Sequence, residues 1–140
     1  MTAEDGGYSP PADSGPVPKI LFGTGTLKGL DPERAGAVWR LSEPGRQLDA
    51  NIVRLPPGRR VDAHTEPDLD VLLLVVTGDA TLVTAEGPVP LGEGALTWLP
   101  HGSTRALVAG EQGMSYLTVH RRRPGMRIRP ASAGTGHAAH

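Results

Sequence analysis

The stretch GRRVDAHTEPDLDVLLLVVTG, residues 58–78, decides the fold. Gly58 closes the turn signal Pro56-Pro57-Gly58, and the residues after it read as a strand over Val61–Glu66. A second strand is expected over Asp70–Thr77. Its core, VLLLVVT, is apolar on both faces, which marks a central strand covered twice. A barrel interior would cover one side. The other needs a second layer, either the N-terminal segment or another subunit. Gly78-Asp79 reads as the turn that ends the strand.

Outward from this stretch the punctuation is that of an all-β protein. Nineteen Gly and fourteen Pro cut the chain into short segments, and no stretch sustains a helical apolar period beyond about two turns. Before it, strands are expected at Ala37–Leu41 and Leu48–Leu55, separated by Glu43-Pro44-Gly45. After it come Ala80–Thr84, Val89–Leu91, Ala95–Leu99, Thr104–Val108 and Met114–His120. Turn signals divide these at Glu86-Gly87-Pro88, Gly92-Glu93-Gly94, His101-Gly102-Ser103 and Gly110 to Gly113. The spacing is that of sandwiches and barrels. One helical turn is expected at Pro32–Ala37, capped by Asp31.

Composition bounds the answer. A chain of 140 residues has room for one domain with its own core. With 4% aromatics, Val, Leu and Ala must fill that core. The absence of cysteine excludes a disulfide scaffold and any thiolate-held metal. Met1 to Asp13 is polar and acidic, which argues for neither a signal peptide nor a spanning helix and makes the cytoplasm the expected location. A net charge of -1 argues against general affinity for nucleic acid or membranes. Arg121, Arg122, Arg123, Arg127 and Arg129 nonetheless crowd one run, read as a solvated face or terminal extension. Residues 1–17 and 128–140 are expected to be loosely held tails around a domain over 18–127, so His137 and His140 belong to no site.

Residues 58–78 resemble the first cupin motif, G-x5-H-x-H-x3,4-E-x6-G. Gly58, His64 and Gly78 match. Glu66 stands at the second-histidine position and Val71 at the glutamate position. The second motif, G-x5-P-x-G-x2-H-x3-N, is similar to GALTWLPHGSTRALVA. Gly94, Pro100 and Gly102 match there, Arg105 takes the histidine position and Ala109 that of asparagine. Fifteen residues separate Gly78 from Gly94, as in compact microbial cupins, and the motif core runs over 58–109. The resemblance implies a double-stranded β-helix, a mostly antiparallel jelly-roll barrel, and a homodimer packed through outer sheets. The matching glycines sit where tight turns need positive φ.

In metal-binding cupins four side chains at these positions hold a divalent cation. Here His64 is retained, Glu66 is a competent carboxylate substitute, Val71 cannot ligate, and Arg105 puts a permanent cation where the metal would sit. Period-two alternation places His64 and Glu66 on one face, and the motif alignment brings Arg105 into the same cavity. A Glu66–Arg105 pair is therefore expected to replace the metal electrostatically. Asp70 would turn inward only through a bulge. Tyr116 would offer a hydroxyl or simply pack, Trp98 is expected in the core, and Trp39 over an outer layer. His101 is expected at the barrel rim, and His120 as a structural or solvent-facing residue.

These residues lead to a cupin that binds a small, possibly anionic molecule through His64, Glu66, Arg105, Val71, Asp70 and Tyr116, with no cofactor. The alternative is a metal-dependent oxygenase or isomerase holding Zn, Fe, Mn or Ni on His64 and Glu66, with Asp70 or a second histidine. A third reading is a metal-free, epimerase-like or cyclase-like enzyme using His64 as base beside Asp62 or Glu66. A fourth, a nucleic-acid adaptor, rests on the arginine run alone.

Overall fold

The computed structural model describes residues 15–123. Residues 1–14 and 124–140, with Arg127, Arg129, His137 and His140, lie outside the described residues, as does nearly all of both expected tails. A 3-10 helix over Thr24–Gly29 precedes seven strands: β1 (Gly36–Arg40), β2 (Leu48–Leu55), β3 (Arg60–Thr65), β4 (Val71–Thr84), β5 (Gly87–Leu91), β6 (Leu96–Leu99) and β7 (Thr104–Arg121). All pairings are antiparallel.

β4 and β7 organise the barrel, because each runs through both of its sheets. The first half of β4 lies between β6 and the second half of β7, which goes on to pair with β2 and, through it, β1. The second half of β4 lies between β5 and the first half of β7, which pairs in turn with β3. The two sheets face each other in a jelly-roll barrel, the expected all-β architecture. Val71, Leu73 and Val75 alternate into the core, where they meet Leu82, Leu107, Met114 and Tyr116.

Two expected turns are not turns. Gly78-Asp79 lies inside β4 and Gly110 to Gly113 inside β7, so four expected strands merge into two long ones. The register between them shifts at Gly78/Ala80, where a bulge in β7 turns both strands from one sheet into the other. Gly78 has φ 75° and Gly113 φ 74°. Their backbones cross so closely that a Cβ at Gly78 would collide with the carbonyl of Gly113. Gly58, Gly94 and Gly102 also have positive φ, as the motif skeleton requires.

The N-terminal segment behaves differently from expectation. Asp31 accepts the Glu33 N–H at 2.9 Å, but the chain makes only a β-turn there before entering β1, and the helical turn lies earlier, at Thr24–Gly29. Phe22 packs against Trp39 with ring centroids 6.0 Å apart, so the N-terminal segment forms a partial layer against Trp39, rather than Trp39 covering one. This layer leaves part of the sheet bare. Leu72 is 42% exposed, and beside it on β6 Trp98 is 58% and Leu96 67% exposed. Trp98 is therefore not a core residue. In the four-residue β6 it is Leu99 that points inward, and alternation sends Trp98 out.

Candidate ligand-binding site

The site forms where β3 lies against the first half of β7. His64 is paired directly with Arg105 across these two strands, so their side chains share a face. Val61 pairs with Leu107. Three positions on β3 thus span two on β7, and the extra residue is a bulge between Val61 and His64. Without it, Val61 and His64 would face opposite ways; with it, both line the barrel cavity. The bulge also overturns the expectation that Asp62 shares the face of His64. The Asp62 side chain is 91% exposed and pairs with Arg60 at 3.3 Å, so it cannot poise His64 as a base. Only its backbone carbonyl serves the imidazole, accepting from Nδ1 of His64 at 3.2 Å. That contact leaves Nε2 of His64 for the cavity.

Arg105 is 6% exposed and points into the barrel. Its Nη1 donates to the carbonyl and hydroxyl of Ser103 at 3.4 and 3.3 Å, both long for hydrogen bonds from a guanidinium. Among the described residues no carboxylate lies within 4.0 Å of it. Burial pushes its pKa down, and the charge of Glu66 partly restores it at longer range.

The expected Glu66–Arg105 pair is replaced by another. Arg123, reached just beyond the end of β7, donates to Oε1 of Glu66, while Oε2 accepts the Asp68 N–H at 2.9 Å. Burial alone would raise the pKa of Glu66. The Asp68 N–H and the Arg123 guanidinium outweigh it and hold the carboxyl below its ordinary value. Arg105 feels the charge of Glu66 without touching it, and among the described residues no carboxylate forms an ion pair with it.

Asp70 does not join the cavity. No bulge turns it inward; its Oδ1 accepts both the backbone N–H of His101 at 2.9 Å and Nδ1 of His101 at 2.7 Å, at the rim. His101 occupies the rim position read from the sequence. Val71 lines the cavity as an apolar wall. Tyr116 lines it too, buried, with no hydrogen bond to its hydroxyl among the described residues. Desolvation pushes its pKa up to about 12, so the phenol stays a neutral donor.

The cavity has two parts joined at a waist of Val61, His64, Val71, Arg105 and Tyr116. Below the waist is a chamber of about 30 Å³ walled by leucines. Above it, a vestibule of about 1110 Å³ opens outward past Glu66 and Arg123. The vestibule also takes in basic side chains that the sequence did not assign to the site: Arg40 on β1, His120 at the end of β7, expected to be structural or solvent-facing, and Arg123, expected on a solvated face. Arg40 and Arg123 arrive from strands far apart in the chain, and only pairing of β1 to β2 and β2 to β7 brings them to one mouth.

The residues at the four metal positions do not fit a divalent cation. Val71 offers no donor, Glu66 is taken by Arg123 and Asp68, and the cationic Arg105 is the cross-strand partner of His64. Among the described residues no three His, Asp or Glu side chains converge as a ligand set.

An antiparallel jelly-roll barrel with its polar groups gathered inside one end defines a class of small barrel proteins. Within that class the chain has the cupin fold. A cupin-2 domain protein from Shewanella frigidimarina superposes with a TM-score of 0.60 at 16% identity, over 73% of this chain and 95% of that one. A sugar phosphate isomerase of the cupin superfamily from Silicibacter pomeroyi gives 0.52 at 22% identity, over 68% and 76%. The Schizosaccharomyces pombe Cnp3 cupin domain gives 0.54 at 12% identity over 61% of this chain, which spans only 59% of that domain's length. No family model matches the sequence. No curated protein matches it either. Among the described residues no helix is long and apolar enough to cross a membrane.

Proposed function

We propose that this protein binds a small anionic molecule in the barrel cavity, with Arg105 as the anion's anchor and no metal taking part. The observation that carries this reading is the burial of Arg105 at 6% exposure without a carboxylate partner among the described residues. Keeping a guanidinium out of water costs several kcal/mol unless charge and hydrogen bonds return, so a site of this kind is completed by an anion. The planar fork of Arg suits carboxylate or phosphate oxygens. The Silicibacter neighbour acts on a sugar phosphate by its description, so this fold accommodates anionic substrates elsewhere. That likeness supports the fold alone, and the weight here falls on Arg105.

Calorimetric titration of the purified protein with acetate and with inorganic phosphate tests the reading. At least one should bind, and Arg105→Met, which keeps the apolar stem and removes the charge, should weaken that binding at least tenfold while the fold persists by circular dichroism. Undiminished binding in the variant, or a stoichiometric divalent metal in the purified protein, would overturn the proposal.

The same reading includes a homodimer. The bare apolar face of Leu72, Leu96 and Trp98 supports a second copy of the barrel as its cover.

A further inference from the structure

We infer that the ligand is a monocarboxylate with a compact, branched apolar tail, bound tail inward with its carboxylate at the waist. This rests on the anion-binding reading above and adds the charge and shape of the molecule. The chamber below the waist is walled by Leu73, Leu82, Leu99 and Leu107. Thr118 also lines it, but its hydroxyl already donates to Oδ1 of Asn51 at 2.6 Å. Water entering the chamber would find few partners there, whereas an apolar group loses nothing. At about 30 Å³ the chamber holds two or three water-sized groups, the space of a branched end of three carbons or so.

The charge of the head group follows from the vestibule. Among the described residues Arg40, Arg105 and Arg123 face it with Glu66 and Asp68, three positive against two negative charges, a sum of +1 apart from the two imidazoles. One negative charge neutralises this sum, and two overshoot it. At the waist, Arg105 provides the fork and the Tyr116 hydroxyl a further donor, enough for both oxygens of one carboxylate. Among the described residues the polar groups of the lining, apart from the already bonded Thr118, stand at the waist or outside it, so the tail goes in first.

The test uses 3-methylbutanoate as probe, titrated calorimetrically beside acetate, butanedioate, inorganic phosphate and the neutral 3-methylbutanamide. Each methylene buried in the chamber is worth about fourfold in affinity, so 3-methylbutanoate should bind at least tenfold tighter than acetate. The amide and the dianion should each bind at least tenfold more weakly than 3-methylbutanoate. Leu82→Ala, which enlarges the chamber, should move the preference toward the longer 5-methylhexanoate; the milder Leu82→Val serves if the alanine variant does not fold. Equal affinity for acetate and 3-methylbutanoate, or an unchanged tail preference in a folded Leu82 variant, would overturn this inference. If phosphate or butanedioate were the tightest ligand, still lost in Arg105→Met, the inference would fall and the anion site would stand. If no anion depended on Arg105, both would fall.

Discussion

Arg123 shows how far a single side chain can be read in advance. It sits in a run of arginines that composition assigns to a solvated face, and nothing nearby in sequence marks it for Glu66, 57 residues away. The motif positions were more legible. His64, Val71 and Arg105 all line the cavity, because a motif encodes the order of strands as well as residue types; Tyr116, outside the motifs, lines it too. Asp62 and Asp70 were misjudged for a local reason: their direction depends on whether a bulge is present, and alternation cannot tell. The Glu66–Arg123 pair has a measurable consequence. Glu66 holds its proton less tightly in the folded chain than in the unfolded one, where its value is near 4.5. The pair therefore stabilises the fold above that pH, and its contribution fades as pH falls through the lower folded value. Arg123 is half exposed, so the amount is modest, about 0.5–1 kcal/mol. Glu66→Gln should cost that much at pH 7 and less at pH 3, by urea unfolding at both. An equal loss at both would mean that packing, not charge, explains Glu66.

For the elements, the sequence placed the strands within a residue or two and erred where two of them join. Glycines at Gly78 and in Gly110 to Gly113 are equally suited to a tight turn and to a bulge inside a bent strand, since both need positive φ. What separates them is the partner across the sheet, which a local pattern does not contain. The corner is correspondingly intolerant. Gly78→Ala would combine a left-handed backbone with a collision against the Gly113 carbonyl, and should lower stability by about 3–5 kcal/mol or prevent folding. Gly92→Ala, with open space around it, should change stability by no more than about 0.5 kcal/mol. Similar denaturation midpoints for the two variants would contradict the close crossing at this corner.

At the level of the whole molecule, the doubly apolar VLLLVVT forms the first half of a central strand, as expected, yet the described residues cover its outer face only in part. Trp98→Glu should convert a dimer to a monomer in sedimentation velocity while leaving anion affinity unchanged, because Trp98 lies outside the barrel. A wild-type protein that sediments as a monomer at all concentrations would remove the second copy from the account. The sharing of β4 and β7 between both sheets carries a different consequence. The central strands of each layer are continuous with those of the other, so the barrel has no natural seam along which to come apart. Amide hydrogens in 71–83 and in 106–119 should exchange with solvent together, through one global opening rather than sheet by sheet. An intermediate protecting only one of the two layers would mean that the corner yields more easily than its geometry implies.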